Sequence, residues 1–353
     1  MIGILTFHRA VNYGAVLQTY GLQKTLDDLE ITSEVIDYRS SVIENPYKSF
    51  TIRSLKTFEF YNRFLKQSRF KSFIKNRINM TEPLWNRDQL GKVEDDYSAI
   101  ITGSDQVWCK KCAKEEKTYF LDFVKSPSKK KSYAASIGNA DISGELKKEY
   151  GKLLEGYDQI SFREESACGL LADELQGKEV QVNIDPTLLL NSEKWDKVRN
   201  KNVEKSPYIL VYTVLGQYNL FDEAHKLAEK TGLPIIYLND EIHGREKGVI
   251  YRSAVSPEQF VGYFAEAKYV LTNSFHGTAF SIIYKKQFLV EIEAKGRRNI
   301  RSEELLMKLG LSNRFLTSSS WKHIDNAIDW NGVEEKLDLE RKKSKEYLKK
   351  ICF

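Results

Sequence analysis

The sequence predicts an α/β protein built from two doubly wound domains. Short apolar runs alternate with segments whose apolar residues recur at helical spacing, in the first half of the chain and again in the second. A length of 353 residues suggests about two cores. The polar stretch from Asn200 to Ser206 falls just before the alternation restarts at Tyr208, so it reads as a domain connection, with domains over 1–199 and 200–330. A hydrophobic content of 41%, with 12% aromatics, is ample for packing and excludes wholesale disorder.

In chain order, Ile2–Phe7 reads as the first strand, followed by a loop from His8 to Gly14. Ala15–Leu29 reads as a helix because Val16, Leu17, Tyr20, Leu26 and Leu29 share a face. Gly14 at that turn lets the backbone approach a ligand or simply allows the bend. Val35–Tyr38, Tyr97–Ile101, Tyr119–Phe123, Lys131–Ile137, Gln159–Phe162 and Val180–Ile184 read as further strands, with a helix from Ser143 to about Gly156. The second half repeats the pattern. Its strands are Tyr208–Leu215, Pro234–Leu238, Tyr269–Leu271 and Gln287–Ile292, and its helices are Leu220–Lys230, Glu258–Ala267 and Ala279–Tyr284. Glu334–Lys350 is a final helix with acids early and lysines late, which suits its own dipole.

The net charge of +5 is unevenly spread. Lys48–Asn79 carries nine basic residues (Lys48, Arg53, Lys56, Arg63, Lys66, Arg69, Lys71, Lys75 and Arg77) against Glu59 alone, so it holds +8 and the remainder −3. Phe50, Phe58, Phe60, Tyr61, Phe64, Phe70 and Phe73 are interleaved with them. One reading is a helical insertion of the first domain with buried aromatics and solvated lysines. Another is a face for an anionic membrane or a lipid-linked substrate. No recognised nucleic-acid motif accompanies the segment, so no nucleic-acid partner is expected.

No apolar run approaches the ~20 residues of a membrane span. The start, MIGILTFHR, lacks the basic region and long apolar core of a signal peptide. With four cysteines and no disulfide framework, the expected location is the cytoplasm; peripheral contact at the inner face of the membrane is the alternative that the basic segment leaves open. Cys109 and Cys112 form a CxxC pair. A zinc site needs about four ligands, and neither a second pair nor paired histidines accompany it. A redox role wants a thioredoxin-like strand-to-helix setting. The pair therefore reads as incidental, and no metal is expected.

The stretch Tyr269–Glu293 carries the most chemistry. Thr272, Asn273 and Ser274 are loop or cap types, Gly277-Thr278 opens a helix, and His276 stands at the junction. In a parallel sheet that junction lies at the carboxyl ends of the strands, where ligands bind. A helix N-terminus offers unpaired N–H groups to an anion, and an imidazole beside them can hold a phosphate or exchange a proton. The same histidine also reads as a cap or a filler of a polar gap. Thr102-Gly103-Ser104-Asp105 ends a buried strand, where Asp105 reads as an acid taking a hydroxyl proton or as a helix N-cap. Arg163, where a strand passes into a helix, offers fork geometry to a carboxylate or phosphate, or pairs with its neighbours.

Seven signatures stand in order: NYGAVLQ, TGSDQVW, YAASIG, SFREES, NIDPTLLL, TNSFHGTAF and RRNIRSEELLMKLGL. In that order and spacing they resemble the polysaccharide pyruvyl transferase family over nearly the whole chain. The resemblance implies a GT-B-like fold: two Rossmann-like doubly wound domains facing a cleft, with the C-terminal helix, residues 331–353, returning to the first. It also implies transfer of the pyruvyl group of phosphoenolpyruvate to a pair of sugar hydroxyls, giving a cyclic ketal and phosphate, with no cofactor beyond that donor. The donor is expected in the second domain, and a cell-surface glycan or lipid-linked oligosaccharide acceptor against the first.

By the same resemblance His276 binds the donor phosphate and acts as general acid, and Asp105 is the candidate base. Arg163 clamps the anion, and Arg298 and Arg301 could close on it. Ser274, Gly277 and Thr278 on the donor side, and Asn12, Gly14, Gly103 and Ser104 on the acceptor side, complete the expected substrate-binding set. Two positions depart from the family pattern. Ser274 stands where many members carry an arginine, which leaves Arg163 or Arg301 to compensate, and Asn12-Tyr13-Gly14-Ala15 lacks the acid many members have after the glycine. Two other functions compete. One is a GT-B glycosyltransferase with a nucleotide-sugar donor, for which Glu291 or Glu293 would meet a ribose. The other is a non-catalytic, membrane-associated polysaccharide assembly factor held by the basic segment.

Overall fold

Parallel pairing of the predicted strands produces a four-stranded sheet, a five-stranded sheet and a two-stranded pair among the described residues. The computed structural model describes residues 1–40, 43–44, 58–113, 116–138, 142–216, 219–241, 244–294 and 297–353. Its contacts divide the chain into unit 1 (Met1–Ser49, Ile74–Leu190 and Asp338–Phe353) and unit 2 (Phe50–Phe73 and Asn191–Leu337).

In unit 1, β1 (Ile2–Leu5) is flanked by β2 (Ser33–Val35) and β3 (Ala99–Thr102), and β4 (Lys130–Ser132) follows β3, all parallel. β5 (Ile160–Phe162) and β6 (Val180–Val182) form a further parallel pair, joined to β4 through the bridge Lys131–Gln159 and to the segment after β4 through Ala135–Phe162. Every residue of β1, β3 and β5 is buried, as expected for strands covered on both faces. Helix α1 (Tyr13–Asp28) starts at Asn12, whose side chain accepts from Ala15 N (3.3 Å). Gly14 therefore sits buried in the first helical turn and not in the loop before it.

Helices α2 (Phe58–Arg77), α3 (Gly144–Leu154) and α4 (Pro186–Leu189) follow. α1 and α4 pack so closely that a Cβ on Gly21 would lie 2.7 Å from Pro186 O, and only glycine fits there.

One expected strand is absent. Tyr119–Phe123 is a 3-10 turn over Lys117–Phe120, with Leu121 left-handed (φ 53°). Its apolar character serves packing: Phe120 stacks on Trp108 (5.5 Å) and Tyr119 meets Phe7 edge-on (4.6 Å). The Tyr119 carbonyl accepts from Thr102 Oγ1 and Trp108 Nε1, both at 3.0 Å, so side chains take the place of a strand partner.

Unit 2 holds a five-stranded parallel sheet of order β11-β10-β7-β8-β9. Its strands are β7 (Ile209–Tyr212), β8 (Ile235–Leu238), β9 (Val249–Arg252), β10 (Tyr269–Thr272) and β11 (Gln287–Val290). The helices are α5 (Leu220–Thr231), α6 (Pro257–Glu266), α7 (Phe275–Ile283) and α8 (Ile300–Leu309). α6 begins with a full capping box, Ser256 with Gln259, and Pro257 at its first position. Helix α9 (Trp330–Cys352) closes the chain.

Three unit boundaries differ from those read off the sequence, each for a visible reason. Residues 191–199 group with unit 2, where the Trp195 ring meets Phe280 edge-on at 5.0 Å. The N-terminal part of α2 also groups with unit 2, because Lys66 pairs with Asp240 (2.6 Å) and Arg69 donates to Ala254 O (2.6 Å). The C-terminal helix returns to unit 1 as expected, but from Asp338 and not from residue 331: Ser344 Oγ accepts from Asn183 Nδ2 (3.2 Å) and Tyr347 OH donates to Ser132 O (3.0 Å).

On α2, Phe70 and Phe73 are buried, Tyr61 and Phe64 are exposed, and Arg63 and Lys71 face solvent. Lys48, Phe50, Arg53 and Lys56 lie outside the described residues. Among the described residues no helix is long and apolar enough to cross a membrane.

Candidate functional site

Each sheet reverses its strand order beside its first strand, and an open α/β sheet binds ligands at that point, past the carboxyl ends of the strands. In unit 2 the reversal lies between β7 and β10. Asn273, directly after β10, bridges it: its Oδ1 accepts from Val214 N (3.0 Å) and Leu215 N (3.3 Å) past the end of β7. Ser274 is the N-cap of α7 and accepts from Gly277 N (3.3 Å). His276 is thus the second residue of the helix. It is 8% exposed, with its ring edge-on to Phe275 at 5.2 Å.

Gly277 permits this placement. A Cβ there would collide with Thr272 Oγ1, which itself donates to Tyr212 O (2.6 Å) and accepts from Ser274 N (3.1 Å). Thr278 Oγ1 donates to Ser274 O (3.0 Å) and closes the first turn. Arg301, on the first turn of α8, lies over the Phe275 ring at 6.0 Å. Asn299 fixes that helix start by donating from Nδ2 to Asn273 O (2.9 Å).

The structure therefore gathers Ser274, His276, Gly277, Thr278 and Arg301 around one helix N-terminus. Arg298 is placed differently. It is exposed and forks onto Glu303 at 2.8 and 2.6 Å, which raises its already high pKa. Glu291 accepts from Asn219 N (2.8 Å) just before α5 and is 2% exposed, so this acid already serves a helix start.

In unit 1 the reversal lies between β1 and β3. Gly103 N donates to Leu5 O (2.9 Å) and Thr6 Oγ1 to Ser104 O (2.9 Å), so the two strand ends are tied together. Asp105 follows in the left-handed region (φ 78°), an uncommon conformation for a residue with a side chain and one that concentrates at functional sites. No helix starts at Asp105, so the N-cap reading is not realised.

Arg163 is fully interior. Its Nη1 donates to Asp185 Oδ2 (2.7 Å), which also accepts from Ser104 Oγ (3.2 Å). Asp185 Oδ1 in turn caps α4 through Thr187 N (2.9 Å) and Oγ1 (2.8 Å). Burial lowers the Arg163 pKa, but the charges of Asp185, Glu164 and Asp105 outweigh it and raise the value. Glu164 accepts from Ser136 Oγ (2.7 Å) and Ile137 N (3.0 Å). Four of the sequence signatures are thereby locked into one buried polar network, in which Arg163 is an ion-pair partner.

A second charged cluster, absent from the residues expected from the sequence, stands at the same sheet edge. Two residues past β2, Asp37 accepts from His8 Nε2 (3.0 Å) and Arg9 Nε (2.8 Å), with Arg9 Nη2 on its other oxygen. His8 Nδ1 faces Thr6 O at 3.1 Å, so both ring nitrogens meet acceptors. The available signal was a histidine and an acid just past the ends of two adjacent parallel strands.

Burial pushes the Asp37 carboxyl up, yet the hydrogen bonds from His8 and Arg9 prevail and hold it well below the usual carboxylate range. Its folded value lies below the unfolded value of about 4, so its stabilisation is complete above about pH 4 and is lost as the pH falls toward the folded value. Asp37→Asn is expected to destabilise unit 1 at neutral pH and to flatten its acid-unfolding slope, measured by denaturant titration across pH 2–6 (roughly).

Among the described residues no group of three or more His, Cys, Asp or Glu is placed to hold a metal ion.

Solved structures resemble the chain in fold. UDP-N-acetylglucosamine 2-epimerase from Rickettsia bellii is 12% identical with a TM-score of 0.55, covering 99% of this chain and 95% of that one. The MnaA–UDP co-structure from S. aureus is also 12% identical, with a TM-score of 0.50 and coverage of 95% and 90%. The shared fold is GT-B-like, α/β with parallel sheets. No curated protein sequence matches significantly. The family model described as polysaccharide pyruvyl transferase matches residues 12–290, most of the chain and all of the strand-end residues from Asn12 to Thr278. The chain belongs to the polysaccharide pyruvyl transferase family.

Proposed function

We propose that the protein moves the pyruvyl group of phosphoenolpyruvate onto two hydroxyls of a glycan sugar, forming a ketal and releasing phosphate. The observation that carries this reading is the family match over residues 12–290. His276 at the N-terminus of α7, with Arg301 beside Phe275, supplies the anion-binding chemistry such a donor needs. Ser274 serves as the helix cap, so Arg301 is the cation for the donor in unit 2, with Gly277 and Thr278 shaping the same turn. Arg163 supports the acceptor-side loops through Asp185.

In the reaction His276 holds the phosphate and protonates the donor methylene carbon, which becomes the methyl group. A sugar oxygen adds to the resulting cationic carbon, phosphate leaves from it, and the second sugar oxygen closes the ketal. One of the two hydroxyl protons replaces the proton given to the methyl group, and the other leaves with phosphate. Asp105 is the base on unit 1 for the attacking hydroxyl, with Asn12, Gly14, Gly103 and Ser104 forming the acceptor side. The acceptor is a cell-surface glycan or its lipid-linked precursor. Tyr61, Phe64, Arg63 and Lys71 on α2 form the face that would hold the protein at an anionic inner membrane surface.

Calorimetric titration tests the donor. Saturable binding of phosphoenolpyruvate, lost in His276→Ala and not shared by a panel of nucleotide sugars, is expected. Binding of a nucleotide sugar in place of phosphoenolpyruvate would move the protein to glycosyl transfer.

A further inference from the structure

Cys109 and Cys112 lie where three signature loops meet. Both are present as thiols, with their sulfurs 2.6 Å apart across one helical turn, Lys110–Ala113. Cys112 Sγ is also 2.9 Å from Gln106 Oε1, so its single S–H serves one of two acceptors. Gln106 directly follows the left-handed Asp105. Cys109 packs against the loop beyond Ala135, where a Cβ on Gly138 would lie 3.0 Å from its sulfur. Gly138 N donates to Ser136 Oγ (3.1 Å), which donates to Glu164. The dithiol is therefore tied to the Asp105 loop on one side and to the buried Arg163–Glu164 network on the other.

We propose that Cys109 and Cys112 form a reversible dithiol–disulfide site, oxidised by a small-molecule disulfide. Cys112 is the more exposed of the two, and its thiolate attacks the external disulfide, forming a mixed disulfide and expelling one thiolate. The Cys109 thiolate then attacks the Cys112 sulfur, closing the internal bond and expelling the second thiolate. The two protein thiol protons end on the two released thiols; the protein pair is oxidised and the small disulfide reduced. Residues three apart on one turn meet the span a disulfide bridges, ~4.4–6.8 Å between Cα atoms, without backbone movement. Closure removes the Cys112 S–H from Gln106 Oε1, so the Asp105 loop loses a tether.

The full-length protein is equilibrated in glutathione buffers from reducing to oxidising, denatured, alkylated and weighed intact. Expected under oxidising conditions is a fall from four alkylated cysteines to two, with no glutathione mass retained, the missing pair mapping to the peptide holding 109 and 112. Dithiothreitol should reverse it. Fluorescence of Trp108, next to Cys109, should drop on oxidation in the wild type and stay constant in Cys112→Ser. Amide exchange at residues 105–107 should quicken in the oxidised wild type alone. Four alkylated cysteines at every buffer ratio, a persistent glutathione adduct, or loss mapping to Cys168 or Cys352 would overturn the proposal. None of these readouts needs a substrate.

Discussion

Replacing His276 with alanine is expected to lower pyruvyl transfer by roughly 100- to 10,000-fold, the range for loss of a positioned general acid. Phosphoenolpyruvate binding should weaken with it, while the thermal midpoint stays close to that of the wild type. The helix start does not depend on the imidazole. Ser274 caps it, Thr278 closes its first turn, and the Gly277–Thr272 approach sets its distance from β10. His276→Gln keeps a polar side chain without a titrating ring. It should recover part of the binding and none of the turnover, and that split separates proton transfer from anion holding. A His276→Ala protein that unfolds with the loss of activity would make the residue a structural element of α7.

Arg163→Ala is expected to act on stability first. It leaves Asp185 with its 0% exposed side chain stripped of its cation, and breaking a buried pair in this way costs about 3–5 kcal/mol. The loss should appear as a lower denaturant midpoint and as faster amide exchange around Ser136 and Thr187, the ends of the network Arg163 spans. Arg163→Lys keeps the charge but not the fork, so it should recover part of that stability. If Arg163→Ala instead unfolded at the wild-type midpoint and lost only phosphoenolpyruvate binding, the arginine would be an anion clamp and its pairing with Asp185 incidental.

Both variants follow from the difference between what a sequence displays and what a fold assembles. The strands of unit 2 were legible because Ile209–Tyr212, Ile235–Leu238 and Tyr269–Thr272 are continuous buried runs, the signature of a strand covered on both faces. β9 was not: Val249–Arg252 is a half-exposed edge strand with no such run. Tyr119–Phe123 failed in the opposite direction, its aromatics filling the core from a turn. Site residues at one strand end, Ser274 to Thr278, are sequence neighbours and could be read together. The role of Arg163 could not, because its partner stands 22 positions later and reaches it only through parallel pairing of β5 with β6. His8 and Asp37, 29 positions apart, were missed for the same reason.

Incubating the protein with phosphoenolpyruvate and a panel of glycan acceptors, while following phosphate release and acceptor mass together, tests pyruvyl transfer itself. Phosphate release should depend on an acceptor and be matched by one ketal-linked pyruvyl group per phosphate, with neither product from His276→Ala. Release of a nucleoside diphosphate from a nucleotide sugar, with the sugar found on the acceptor and phosphoenolpyruvate untouched, would contradict it.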